Sequence, residues 1–153
     1  MQSKAIRTSK SSILKTILDF RKNIEDLKPN DFKTLSNYAK RFISLILSGG
    51  ITESTLFAYS KAKMSNIDGF LKSGKNALKK DKDLSESEFW TIILVYIYKY
   101  VLKERCNLKT PDLIEILSSE CFRTPKKKIV EKEIIRHLFL FARIMDAYGD
   151  KNE

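Results

Sequence analysis

The chain is 153 residues long, 42% hydrophobic and 31% charged, which fits a single globular domain with its own core and argues against a disordered chain. Only five glycines and three prolines interrupt it, so long helices are favoured over many short strands. Lys and Arg number 29 against 19 Asp and Glu, a formal charge of +10; such an excess attracts polyanions, nucleic acid above all, although lysines that merely solubilise a surface give the same total.

Residues 1–9 read as a loose basic arm without the apolar core of a signal peptide. From Lys10 the apolar residues Ile13, Ile17, Phe20, Ile24 and Leu27 recur at helical steps. Lys28-Pro29 should end this helix, because a residue before proline avoids the α region. Asn30 and Asp31 are candidate caps for a second helix, with Leu35, Ala39, Phe42 and Ile46 on its buried face. Ser48-Gly49-Gly50 should stop it, and Thr52 can cap a third helix that carries Leu56, Phe57 and Tyr59 and ends near Lys63.

Ser65 to Lys80 predicts a weaker helix, since Gly69 and Gly74 each cost about 1 kcal/mol relative to alanine. Lys79 to Asp83 reads as a charged loop. Ser85 and Glu88 have the spacing of a capping box. The following segment is apolar nearly all round, so a helix at about 86–103 must be surrounded by the others. Its longest apolar run, Phe89 to Tyr98, is too short to span a bilayer, and a cytoplasmic location is expected.

Thr110 and Thr124 each precede a proline and are candidate N-caps. The first should open a short helix through Cys121, the second a long one to about Tyr148 with Val130, Ile134, Leu138, Phe141 and Met145 on its core face. Gly149 should end that helix, with residues 150–153 a frayed tail. The expected fold is all-α: a compact bundle of six or seven helices around the central apolar one, in one domain.

Chemistry is hard to assemble from these residues. His137 is the single histidine, and general acid–base use would need a partner beside it, so a structural role is expected. Gly49-Gly50 lacks the lysine-serine continuation of a phosphate-binding loop. Cys106 and Cys121 have neither CxxC spacing nor histidines enough for zinc. Both are expected as buried small hydrophobes, with a disulfide only in a hyperthermophilic source. No catalytic residue, metal ligand or cofactor site is assigned.

Basic groups, by contrast, organise. On the last helix Lys132, Arg136 and Arg143 fall in one stripe with Phe139, because eleven residues at about 100° each return almost to the start. Arginine beside an aromatic suits a nucleic-acid backbone with base stacking, and a solvated face is the equal alternative. Lys40 and Arg41, then Lys61 and Lys63, bracket the Gly49-Gly50 corner. Lys126-Lys127-Lys128 opposes the macrodipole at a helix start, a cost that a partner would explain.

Two windows resemble a known family. Tyr38 to Lys63, YAKRFISLILSGGITESTLFAYSKAK, is similar to the small subunit of the Cmr-type (type III-B) CRISPR effector complex, with Tyr38, Lys40, Arg41, Ile46, Gly50, Leu56, Ser60 and Lys61 in comparable places. The closing helix resembles the family's last helix at Arg143, Asp146 and Ala147. Gly49 stands where that family has asparagine, Ile51 where it has leucine and Ile43 where proline is common, and the closing helix lacks the family's tryptophan. The resemblance implies a helical bundle, present in several copies as a secondary filament beside the backbone and large subunits, lining a positive channel for guide and target RNA without doing chemistry. Lys40, Arg41, Lys61, Lys63, Lys132, Arg136 and Arg143 would then meet phosphates. Two alternatives stand beside it. Thr110 to Cys121 and the helix from Lys126 could form a helix-turn-helix that binds DNA, or the chain could be a protein-interaction adaptor.

Overall fold

A computed structural model of the chain describes residues 9–78 and 83–150. Residues 1–8 of the basic arm, residues 79–82 of the charged loop and residues 151–153 of the tail lie outside the described residues. The fold is an all-α bundle, with no strand among the described residues. Its helices are α1 (Lys10–Phe20), α2 (Pro29–Ala62), α3 (Met64–Ser73), α4 (Glu86–Ile97), α5 (Lys103–Arg105), α6 (Leu113–Ser118) and α7 (Lys126–Gly149).

The central helix is α4. Ser85 Oγ accepts from Glu88 N at 3.2 Å, and Glu88 Oε1 accepts from Ser85 N at 2.9 Å, the reciprocal cap that starts it. Every residue from Phe89 to Tyr98 is buried. A π turn, Tyr98–Leu102, then carries the chain into the single turn of α5. Trp90 and Tyr96, both fully buried, are the large residues of this helix, and Phe20, Phe42 and Phe141 converge on the same core from α1, α2 and α7. α2 packs on both α4 and α7, and α3 packs on α4.

α2 runs antiparallel to α7. Lys33 pairs with Asp150, Lys40 Nζ lies 3.2 Å from Asp146 Oδ2, and Ile51 N donates to Glu131 Oε2 at 2.9 Å. Helical hydrogen bonding continues through Gly50, but its backbone (φ 87°, ψ 169°) is not helical, so α2 is two helical segments meeting at a corner. Only glycine takes such angles without strain. The second segment is capped by Glu131 of α7 rather than by Thr52, because the freed Ile51 N–H faces α7 there. By length and hydropathy α2 could cross a bilayer: its most apolar stretch averages 1.3, although 39% of that stretch is buried inside the fold. Serines and the glycine pair interrupt its apolar residues, so no long uninterrupted apolar run marks it.

Several expected boundaries move. α1 ends at Phe20, and Arg21–Asn23 form a 3₁₀ turn. Pro29 is the first residue of α2, and Asp31 caps from inside the first turn, accepting from Lys28 N at 3.4 Å. α6 is capped by Asp112, which accepts from Ile114 N and Glu115 N at 3.1 and 3.2 Å. Thr110 instead donates from its hydroxyl to Glu115 Oε1 at 2.7 Å. Thr124–Pro125 is a cis peptide, and Pro125 precedes α7 without a side-chain cap. α7 buries Val130, Ile134, Leu138, Phe141 and Met145, the expected core face. Gly149 is its last residue, and a β-carbon there would collide with Lys33 and approach Pro29 O at 3.1 Å.

The cysteine expectation needs correction. Cys106 and Cys121 form a disulfide with Cα atoms 5.4 Å apart, joining the end of the α4–α5 arm to the 3₁₀ turn after α6. Their apolar surroundings were legible, but the fold that brings them together was not.

Candidate nucleic-acid interface

Arg41 is exposed on the first segment of α2, with its guanidinium carbon 5.1 Å from the Tyr38 ring centre and 5.4 Å from that of Trp90. Tyr38, one turn before Arg41 on α2, and Trp90 of α4 belong to one aromatic group. Tyr38 stacks on Phe89 at 5.1 Å and meets Trp90 edge-on, and Phe57 from beyond the Gly50 corner meets Trp90 edge-on at 5.8 Å. Lys61 Nζ lies 5.5 Å from the Phe57 ring centre. Cation–π attraction of this kind contributes roughly 0.5–2 kcal/mol and fixes a cation that would otherwise be mobile. Phe57 and Lys61 lie beyond the Gly50 corner, and Phe57 links Lys61 to the Trp90 ring on which Arg41 also rests.

Arg41 and Phe57 line an open groove of about 530 Å³, and Lys61 adjoins it through the Phe57 ring. Lys40, Arg41 and Phe57 supply charge and an aromatic wall, Asn37, Ser44 and Ser48 supply neutral hydrogen-bonding groups, and Leu45 closes the base. The lining includes no carboxylate. Leu47 and Leu56 are exposed nearby, at 73% and 40%.

The second basic set lies on α7. Arg143 is exposed, its guanidinium carbon 5.5 Å from the ring centre of Phe139, itself 55% exposed. The Lys40–Asp146 ion pair ties this face to the first segment of α2. Lys132 is exposed on the same side of α7. Arg136 is drawn away instead: its Nη1 lies 2.8 Å from Glu133 Oε2, and Arg105 reaches the other oxygen of this buried carboxylate at 3.5 Å. A carboxylate that is 4% exposed requires such partners. Lys63 is exposed at the end of α2 with φ 73°, directly before α3. The structure therefore sets Lys40 and Arg41 along one groove, joins Lys61 to it through Phe57, sets Arg143 with Phe139 on the adjoining helix, and commits Arg136 to an internal ion pair.

His137 is internal as well. It is 2% exposed, with Nδ1 hydrogen-bonded to the Tyr96 hydroxyl at 2.7 Å, and that hydroxyl lies 3.2 Å from Thr16 Oγ1. Burial pushes the imidazole from its ordinary 6.5 down to about 4; Glu133 opposes the shift, and Arg136 and Arg105 add to it. The ring is neutral near pH 7 and joins α1, α4 and α7. Lys126, at the start of α7, lies 3.7 Å from Glu120, which partly answers the lysine run there.

No protein-family model, curated protein or solved structure matches the chain.

Proposed function

We propose that the chain is a non-catalytic small subunit of a type III-B CRISPR RNA-guided effector complex, packing as a secondary filament and helping to hold guide and target RNA on its basic surface. The observation that carries this reading is the placement of Lys40 and Arg41 along an aromatic-walled groove, with Lys61 on the Phe57 ring and Arg143 on Phe139. Cations set beside aromatic rings suit single-stranded backbone and base together. The all-helical bundle accords with the fold that the resemblance implies, and the matching window, Tyr38 to Lys63, contains both sides of the groove. Phosphate contacts made this way attract RNA without reading sequence.

The reading is tested by purifying the tagged protein from its native host. Recovery with backbone and large subunits of a Cmr-type complex and short guide RNAs is expected. Recovery alone, or with promoter DNA, would overturn it and favour the helix-turn-helix alternative.

A further inference from the structure

We infer that the groove between the first segment of α2 and Phe57 holds one unpaired nucleobase of a single-stranded RNA, with the flanking phosphates at Lys40 and Lys61. The inference rests on the RNA-binding reading and adds to it the state of the RNA and the place of one base.

A surface built for phosphates alone would need cations but no aromatic wall. Here Arg41 is associated with Tyr38 and Trp90 and Lys61 with Phe57, while Lys40 pairs with Asp146 at 3.2 Å, a carboxylate that a phosphate would replace. Phe57 is half-buried, anchored edge-on against Trp90 while still lining the groove. Arg41 lines the same groove. A planar heterocycle can stack on the aromatic ring with the guanidinium alongside, and about 530 Å³ lies within the range of small-molecule clefts.

Asn37, Ser44 and Ser48 can donate or accept through groups that rotate or exchange roles. They can therefore satisfy the edge of any base, so occupancy should tolerate sequence. The absence of carboxylates from the lining leaves its field complementary to the negative backbone on either side. A paired helix keeps its bases stacked inside, whereas a single strand can turn one outward.

The test compares two RNA 9-mers carrying a fluorophore, an oligouridine and the same backbone with abasic central positions, at low salt. The two present equal phosphate charge, so a difference between them reports the base. Stacking contributes about 1–3 kcal/mol per base, which is about 5- to 150-fold in affinity. The abasic strand is expected to bind at least about fivefold more weakly, and in Phe57→Leu, which keeps apolar volume and loses the ring face, the two strands should converge to within about twofold. Equal binding of both strands by the unaltered protein would overturn the base slot and leave the phosphate-binding reading standing. A difference that persists undiminished in a folded Phe57→Leu protein would place the base elsewhere and also overturn it. Binding of neither strand would sink the RNA reading together with the slot. Should Phe57→Leu fail to fold, Ser44→Leu, which fills the same groove from an exposed position, takes its place: the two strands should again converge, and an undiminished difference would overturn the slot.

Discussion

Acidification from about pH 7 to about pH 4.5 should destabilise this fold by about 2 kcal/mol through His137. The imidazole is held in a core of Tyr96, Thr16 and the Glu133 ion-pair cluster, and burial lowers its proton affinity from the ordinary 6.5 to about 4. In the unfolded chain it titrates near its ordinary value, so between these two values the unfolded state binds the extra proton. Stability is therefore fully present above about pH 6.5, falls with pH at up to about 1.4 kcal/mol per unit, and stops falling below about pH 4. For a domain stabilised by roughly 5–15 kcal/mol this is a large fraction. Urea unfolding at a series of pH values reads it directly through the midpoint at constant m-value. His137→Gln retains a hydrogen-bonding group for Tyr96 but cannot titrate, so its stability should be lower at neutral pH and flatter across the window. An unaltered slope in that variant, or a wild-type protein equally stable at both ends, would refute the reasoning.

Reduction of the Cys106–Cys121 disulfide, which joins residues 15 apart, should cost about 3 kcal/mol by releasing the unfolded chain from a closed loop; the expected result is a clearly lower Tm in dithiothreitol, and an unchanged Tm would deny the bond any role in stability. Gly50→Ala should lose about 1–3 kcal/mol, since φ 87° and ψ 169° suit glycine alone; a urea midpoint equal to that of the unaltered protein would mean that the corner can relax. Glu131→Ala removes the acceptor of Ile51 N–H and should cost about 1 kcal/mol, whereas Glu131→Gln should recover much of that in the same assay. Phe139→Ala alters a ring that is 55% exposed, so stability should change by less than about 0.5 kcal/mol while RNA affinity falls; retained affinity would remove Phe139 from the interface.

The helix pattern was legible because it is local. Ser85 and Glu88 are three residues apart, and the core face of α7 repeats at helical steps, so neither needed knowledge of the rest of the fold. What escaped was set by partners distant in sequence. Ile51 is capped from Glu131, Cys106 meets Cys121, and Arg136 leaves the basic stripe because the buried Glu133 claims it. The Thr110 cap failed for a nearer reason: Asp112 lies two residues closer to the helix and supplies a carboxylate to two amides. The candidate interface was half legible. Lys40, Arg41 and Lys61 could be marked as flanking the glycine corner, but the rings that organise them belong to separate helical segments. Only the corner at Gly50 and the position of Trp90 on α4 bring Phe57, and Lys61 with it, to the groove that Lys40 and Arg41 line.

The most direct measurement of the central claim is the salt dependence of RNA binding, compared between the unaltered protein and a variant carrying Lys40→Gln, Lys61→Gln and Arg143→Gln. The slope for single strands is about −0.7 per phosphate neutralised, so engagement of Lys40, Arg41, Lys61 and Arg143 predicts a slope of about −3 that collapses to about −1 in the variant. Equal slopes in the two proteins would place the RNA on another face. No binding by the unaltered protein at low salt would contradict the account at its base.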